Sequence, residues 1–286
     1  MSAVFVTGAT GTVGSPVVDQ LLQRGEKVVA AVRDKSHAAS IPPGAQPRLF
    51  DFAAAPAELR GSLDGCDRLF LMRPPPIADV QRYLFPVIDV ARQAGVRQVV
   101  FLSLQGVQAN RGTPHHAVEA YLKRTGAPYT FLRPNFFMQN LSTTYAQRIC
   151  DTGEIFVPAG RARTAFIDAR DIGRVAAAVL TSPRHLRKAY TLSGEQSLGY
   201  AAVARIMTEV LGRPIRYLRP SEQQYLAALA ADGWPPDYLA VQKMIYRVVR
   251  LNVSAMPNRT VRRLTGAPAT RFDQFVRDHA GVWSPA

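Results

Sequence analysis

The sequence is poor in cysteine, since its 286 residues contain only Cys66 and Cys150. Two cysteines cannot build a disulfide framework, and we expect both to be buried as small apolar side chains rather than to act as nucleophiles. No apolar run approaches the roughly 20 residues needed to cross a bilayer. No basic segment followed by an apolar one precedes the apolar residues Ala3–Val6. These absences lead us to expect a cytoplasmic protein that has no membrane contact.

Patterns typical of metal sites and of sequence-specific nucleic-acid binding are also missing. There is no paired-cysteine spacing and no His-Glu-x-x-His motif, so we expect no metal. His115 and His116 would project about 100° apart on a helix and could not easily share one ion. The net charge is nevertheless +14, which favours anionic partners such as phosphorylated cofactors, acidic proteins or, without sequence specificity, nucleic acid. Without zinc-finger spacing or an aromatic-basic signature, we expect no specific nucleic-acid partner.

The most informative segment that is present is the run TGATGTVG at residues 7–14. It follows the apolar Ala3–Val6 and opens onto a helical pattern, which is the order that a dinucleotide phosphate site requires. The first glycine permits a tight turn, the second lets the backbone approach a pyrophosphate, and the third lets the helix pack closely. The helix N-terminus would then offer free N–H groups to the phosphates. The predicted cofactor contacts in this loop are Gly8, Thr10, Gly11, Thr12, Val13 and Gly14; the alternative is a glycine-rich turn that binds nothing.

A basic residue stands where the second strand should end. In an NAD site an acidic residue at this position binds the ribose hydroxyls, but this chain has Arg33, followed by Asp34, Lys35 and Ser36. An arginine fork suits a 2′-phosphate, and Lys35 and Ser36 would add contacts. We therefore predict NADP(H) as the preferred cofactor. NAD(H) stays open if the Asp34 carboxylate turns inward, and an exposed basic turn without a ligand is the remaining alternative.

Short apolar runs alternate with helical patterns through the first half of the chain, which predicts an α/β fold with a doubly wound parallel sheet of the Rossmann type. We expect this core over residues 1–135, with sheet segments returning at about 164–193, and a smaller, mostly helical lobe over most of 136–286. Predicted strands are 3–6, 27–32, 47–50, 68–71, 98–103, 130–133, 164–167 and 189–192. Predicted helices are one that starts near Val13 and ends before Gly25, 79–94 with a kink at Pro86, 115–123, 142–150, 171–180 with Asp171 as its N-cap, 200–211, 222–231, 237–250 and 272–279.

Several segments together resemble the NmrA-like branch of the atypical short-chain dehydrogenases/reductases, over nearly the whole chain. They are the loop 7–14, Arg33, the strand Val99–Ser103, the segment His115–Glu119, and the motifs YTFLRPNFFMQN at 129–140, AFIDARDI at 165–172 and YTLSG at 190–194. The resemblance implies either an NADPH-dependent reductase of quinones and dyes or a cofactor-sensing regulator that binds a protein without turnover. A sugar-modifying enzyme is a third alternative.

The Tyr-x-x-x-Lys pair of typical short-chain reductases is missing, because none of the ten tyrosines has a lysine four residues later. By resemblance, Arg111 and His115 occupy the region of that pair, and Ser103 matches a serine at a strand end, although Leu104 replaces a frequent second serine. His115 is the predicted proton donor or acceptor-orienting residue, since its ordinary pKa near 6.5 allows proton exchange at neutral pH. Glu119, four residues on, would set its tautomer. The alternative is that His115 packs at the helix start and contacts the cofactor ribose.

The remaining predicted contacts follow the later strands. Asp51 and Phe52 end the third strand and would meet the adenine edge. Met72 and Arg73 would cover the central ribose and phosphates, or Arg73 would attract an anionic acceptor. By family analogy Pro134, Asn135 and Phe136 border the nicotinamide, while Phe136, Phe137 and Met138 either wall a flat acceptor or are core residues.

A possible partner surface lies on a C-terminal helix. Lys243, Arg247 and Arg250 share one helix face, which is either a solvated surface or a docking surface for an acidic protein. The leading prediction for the chain is an NADPH-dependent reductase of a small conjugated acceptor such as a quinone.

Overall fold

The computed structural model describes residues 2–34 and 36–284. Within them, seven parallel strands form one sheet in the order β3-β2-β1-β4-β5-β6-β9. These strands are β1 (Ala3–Val6), β2 (Val28–Val32), β3 (Ala45–Leu49), β4 (Cys66–Met72), β5 (Gln98–Leu102), β6 (Tyr129–Pro134) and β9 (Lys188–Leu192). The order reverses direction between β1 and β4, as in a doubly wound Rossmann sheet, so the predicted fold class is confirmed.

Helices connect the strands and continue beyond them. Their bounds are α1 (Gly14–Gln23), α2 (Pro56–Ser62), α3 (Val80–Tyr83), α4 (Phe85–Gln93), α5 (Pro114–Arg124), α6 (Ala146–Thr152), α7 (Ala169–Leu180), α8 (Tyr200–Leu211), α9 (Glu222–Ala231), α10 (Pro236–Arg250), α11 (Thr260–Thr265) and α12 (Phe272–Asp278). Two short strand pairs lie outside the large sheet: β7 (Glu154–Ile155) with β11 (Arg216–Tyr217), and β8 (Arg163–Thr164) with β10 (Leu198–Gly199). None of the helices in the described ranges is long and apolar enough to span a membrane.

Several predicted elements differ in the structure, and the helix expected at 142–150 is shifted to α6 at 146–152. The strand expected at 164–167 shrinks to the two-residue β8, which pairs with β10 instead of the large sheet. The helix expected at 79–94 is divided at Leu84 into α3 and α4, because Pro86 fits the first turn of a new helix. Asp171 is not an N-cap, since α7 already begins at Ala169 and the Asp171 carboxylate accepts a hydrogen bond from Arg174.

The chain divides into two compact units. Unit 1 contains residues 1–134, 169–192 and 260–267, and unit 2 contains 135–168, 193–259 and 268–286. In unit 1 the central strands β1, β2 and β5 are buried along their whole length, as parallel strands covered on both faces must be. On one face α7 lies against α1 so closely that a Cβ on Gly173 would stand 2.7 Å from Pro16. Unit 2 has its own core, which is rich in aromatic residues such as Tyr246, Phe272 and Trp283.

Candidate functional site

The carboxyl ends of β1 and β4 lie side by side where the strand order reverses, which is the position at which doubly wound sheets bind ligands. Thr7 joins the two strands there. Its Oγ1 donates to the Phe70 carbonyl oxygen at 3.1 Å and accepts from the Met72 N–H at 2.9 Å. The sequence motif contains Thr7, but its role between two strands became visible only with the sheet order. The residue fixes where the loop 8–13 leaves the sheet.

The glycines of that loop make a cradle that side chains would fill. Gly8 has φ +63°, and a Cβ there would stand 2.3 Å from the Met72 Sδ. A Cβ on Gly14 would stand 1.9 Å from the Gly8 carbonyl oxygen, so α1 could not start so near the loop with any other residue. A Cβ on Gly11 would meet only that same oxygen, at 3.3 Å, and nothing else within 4 Å. The loop thus fits a pyrophosphate, which needs backbone N–H groups without intervening side chains.

The other predicted loop residues differ in what they can offer a ligand. Thr10 and Thr12 are exposed. Val13 is 2% exposed and lies in the core, so only its backbone can reach a phosphate. Val13 is also the N-cap of α1 and gives no side-chain hydrogen bond, which leaves the first N–H groups of the helix without a capping side chain.

At the end of β2 the charges are arranged in favour of a 2′-phosphate. Arg33 is exposed and has no hydrogen bond or ion pair within the described ranges. The Asp34 carboxylate, in contrast, accepts from the Ser36 hydroxyl at 2.5 Å and from the N–H groups of Ser36 and His37, and it lies 2.8 Å from the His37 Nδ1. These hydrogen bonds hold the pKa of Asp34 well below its usual range. The carboxylate is therefore committed to its own turn, and Lys35 lies outside the described residues.

Asp51 and Phe52 follow the end of β3, beside β2. The Asp51 carboxylate accepts from the Ala53 N–H at 2.8 Å and is otherwise exposed. Phe52 is half-buried and meets Phe50 edge to face, with ring centroids 4.9 Å apart. Both residues stand at the same sheet edge as Arg33, and their contact with adenine stays a prediction.

On the other side of β1, the ends of β4 and β5 place Met72, Arg73 and Ser103 together. Met72 pairs with Leu102 in the sheet register, so the next residues, Arg73 and Ser103, are neighbours. Ser103 is 4% exposed, and its Oγ has no hydrogen-bond partner in the part of the chain that the structure describes. A buried hydroxyl without a partner is costly in a folded protein. A ligand bound at this sheet edge can supply the missing hydrogen bond.

His115 lies in the first turn of α5, half-buried beside Phe101. Burial, with a smaller effect from the positive charge of Arg73, lowers the pKa of His115 to about 4. The expectation of proton exchange near neutral pH is therefore corrected: the imidazole is neutral there. The expected partner is also wrong, because the Glu119 carboxylate binds Arg133 through two hydrogen bonds of 2.9 and 2.6 Å. Arg111, the other residue of this region, is exposed.

Pro134 ends β6 in unit 1, and the next residues, 135–138, belong to unit 2. The Asn135 side chain donates to the Ser254 carbonyl oxygen and accepts from the Phe136 N–H, so its amide serves the fold of this unit. Met138 is 3% exposed and belongs to the core, which favours the packing interpretation. Phe136 and Phe137 are half-buried, and their role in acceptor binding stays a prediction.

The basic face of α10 is partly neutralised inside unit 2. Arg247 and Arg250 both donate to the Glu222 carboxylate of α9, and the Lys243 Nζ lies 3.9 Å from it. These arginines lower the pKa of Glu222 to about 2. The acidic protein partner stays a prediction that no observation here supports.

The expected burial holds for Cys66 but is wrong for Cys150. Cys66 is buried, which raises the pKa of its thiol, and Cys150 is half-buried. Across residues 2–34 and 36–284, no group of three or more His, Cys, Asp or Glu side chains is placed to hold a metal ion.

Residues 1–250 match the model of the NmrA-like family. The chain belongs to that family. An NAD(P)H azoreductase from Xenophilus azovorans is 33% identical over 290 positions, which cover 99% of this chain and all of that one. An agroclavine dehydrogenase from Claviceps fusiformis is 35% identical over 73% of each chain. Among solved structures, an NADPH-dependent quinone oxidoreductase of Escherichia coli complexed with NADPH superposes with a TM-score of 0.87 at 25% identity, covering 97% of this chain and 99% of that one.

Proposed function

We propose that this NmrA-like protein is an NADPH-dependent reductase that transfers hydride to a small conjugated acceptor, such as a quinone or an azo compound. The observation that carries the proposal is the arrangement at the sheet edge: a glycine cradle after β1, an arginine after β2 and a buried hydroxyl after β5, the last two without a partner among the described residues. Azo compounds and quinones are the candidate acceptors because two similar proteins are named for reducing them.

NADP(H) is the cofactor that these residues fit. The loop 8–14 would hold the pyrophosphate, and the Arg33 guanidinium would bind the 2′-phosphate. NAD(H) would need a free carboxylate for the ribose hydroxyls, whereas the Asp34 carboxylate is occupied by Ser36 and His37. When bound, the reduced nicotinamide supplies a hydride, and one proton from elsewhere completes the two-electron reduction.

The residues at the end of β5 and the start of α5 orient the acceptor and need not protonate it. The neutral His115 ring and the Ser103 hydroxyl can each share a hydrogen bond with a carbonyl or azo group. Conjugated acceptors spread the negative charge left by hydride addition over their rings, so water suffices as the proton source. This explains how the site can work without the missing Tyr-x-x-x-Lys pair.

The direct test is oxidation of NADPH by the purified protein in the presence of a neutral naphthoquinone and an azo dye. We expect acceptor-dependent loss of the reduced-cofactor absorbance, and much less with NADH at equal concentration. Tight binding of NADPH without turnover of any acceptor would contradict the proposal and would instead indicate a cofactor-sensing protein. Absence of NADPH binding would contradict both functions.

The low pKa of His115 predicts the pH dependence. Because the folded-state pKa is about 4, below the ordinary 6.5, the ring is neutral throughout pH 5.5 to 8, and kcat/KM should show no ionisation from His115 in that interval. The rate falls only as the pH approaches about 4. His115→Asn should lower kcat/KM, leave the profile flat between pH 5.5 and 8, and remove the fall of the rate near pH 4. A step near pH 6.5 in the wild-type profile that disappears in this variant would refute the neutral ring.

A further inference from the structure

At the end of β4, the Arg73 guanidinium uses only part of its hydrogen-bonding capacity. Its Nη1 donates to the carbonyl oxygens of Pro74, Pro75 and Ile77 at 3.1, 3.0 and 2.6 Å, which holds the loop after the strand. The Nε is buried without a hydrogen-bond partner, and the Nη2 makes no hydrogen bond to any described residue. One side of the guanidinium therefore fixes the chain, and the other side is uncommitted.

The uncommitted side is the edge formed by Nε and Nη2, which has the geometry of a fork for two oxygens of one carboxylate or sulfonate. No carboxylate lies within ion-pair distance of Arg73 among residues 2–34 and 36–284. A buried donor left without a partner costs about 1 to 3 kcal/mol. Such a cost is tolerable at a functional position if an anionic ligand removes it.

The charge of Arg73 is also not offset by its neighbours. His115, close enough to feel that charge, is neutral at physiological pH. Glu119 lies one turn further along α5, and Arg133 neutralises the negative charge of its carboxylate. Both side chains are almost completely buried. The ends of β4 and β5 thus present a positive charge that is half-buried and therefore less screened than a charge in open water.

The position along the sheet separates this arginine from the pyrophosphate loop. In a doubly wound sheet the two halves of a dinucleotide lie on opposite sides of the strand-order reversal, so the strands β2 and β3 serve the adenosine half and β4 to β6 serve the nicotinamide half. Arg73 neighbours Ser103, which follows β5, on the nicotinamide side.

We propose that the Nε–Nη2 edge of Arg73 binds an anionic group, a carboxylate or sulfonate, on the conjugated acceptor, and that Arg73 makes the site discriminate against cationic dyes. This inference rests on the proposed reductase function and names the acceptor class more closely. The anionic group adds two charge-assisted hydrogen bonds to the acceptor, whereas a cationic acceptor is repelled by the like charge of the guanidinium.

Two measurements test the inference. The first compares kcat/KM for naphthoquinone, its sulfonated derivative and a cationic triarylmethyl dye. We expect the ratio of kcat/KM for the sulfonated quinone to that for the neutral quinone to fall at least about tenfold in Arg73→Gln, and each tenfold step corresponds to about 1.4 kcal/mol. The variant should also use the cationic dye better than the wild type does.

The second measures, by calorimetry, the binding of naphthalenesulfonate to the protein saturated with NADP⁺, which requires no turnover. Its dissociation constant should rise at least about tenfold in Arg73→Gln.

Two further variants keep the test decisive if Arg73→Gln disturbs its loop. Arg73→Lys retains the charge and should retain part of the sulfonate binding. Arg92→Gln is the matched control, because Arg92 likewise donates to a backbone carbonyl, that of Thr125, but at the far end of α4. We expect this control to bind naphthalenesulfonate as the wild type does.

Other outcomes overturn the inference. Equal loss of NADPH and naphthalenesulfonate affinity in Arg73→Gln would assign the arginine to the cofactor phosphates. Unchanged sulfonate binding in that variant would exclude the fork, while turnover of neutral quinone would leave the reductase function standing. If no acceptor is reduced, the reductase function fails, and the binding of naphthalenesulfonate to the NADP⁺ complex still decides whether Arg73 holds an anion.

Discussion

Replacing Arg33 by alanine should weaken NADPH binding about ten- to a hundredfold and leave NADH binding nearly unchanged. The guanidinium has no protein partner among the described residues, so the whole of its charge is available to the 2′-phosphate. Hydrogen bonds to a charged group contribute about 1.5 to 3 kcal/mol each, which corresponds to one to two decades in affinity. Calorimetric titration with both cofactors, supported by kcat/KM for each, measures the difference.

Two variants control the Arg33 experiment. Arg33→Lys keeps the charge without the fork and should lose less NADPH affinity than alanine. Arg24→Ala removes another exposed arginine, at the end of α1 remote from the glycine loop, and should change neither affinity. An equal loss for NADPH and NADH in Arg33→Ala would show that Arg33 contacts a part of the cofactor that both forms share. That result would refute the 2′-phosphate assignment.

The parts of this site that the sequence predicted are those encoded within a few neighbouring residues. The strand, loop and helix around Gly8, Gly11 and Gly14 follow one another directly, and the close approach of Gly14 to the loop requires that spacing. The buried strands are recognisable because each is a short apolar run, and the parallel sheet follows from their alternation with helices. Arg33 is predicted because the residue that contacts the adenosine ribose lies at the end of the second strand, about 20 residues after the loop.

Partners that come from distant segments could not be predicted in this way. Glu119 does lie one turn from His115, but the register of β6 brings Arg133 to the same carboxylate, and a full positive charge binds it better than a neutral ring. Glu222 likewise takes two arginines from α10, 25 and 28 residues later in the chain. The ordinary pKa assumed for His115 failed for a related reason, because burial depends on the packed fold.

Replacing Glu119 by glutamine should lower the free energy of unfolding by about 3 to 5 kcal/mol, because it leaves the Arg133 guanidinium charged and buried without a counter-charge. Glu119 is 4% exposed and Arg133 is 9% exposed, and the pair joins α5 to β6 through both carboxylate oxygens. The same pair holds the helix that carries His115, so its loss should also lower kcat/KM of the folded protein. Urea unfolding followed by circular dichroism gives the change in stability.

The matched control is Glu209→Gln in α8. Glu209 pairs with Arg205 at 2.7 Å, but the two side chains are 59% and 65% exposed, so this loss should stay within about 1 kcal/mol.

The double variant Glu119→Met and Arg133→Met removes both charges together and should recover much of the stability lost in Glu119→Gln, since apolar replacements of a buried ion pair are often nearly neutral. If the double variant instead has a lower free energy of unfolding than Glu119→Gln, the two losses add. The loss in Glu119→Gln then came from packing and not from an unpaired charge. An effect of Glu119→Gln no larger than that of Glu209→Gln would mean that water reaches the pair, and Glu119 would then be free to turn to His115.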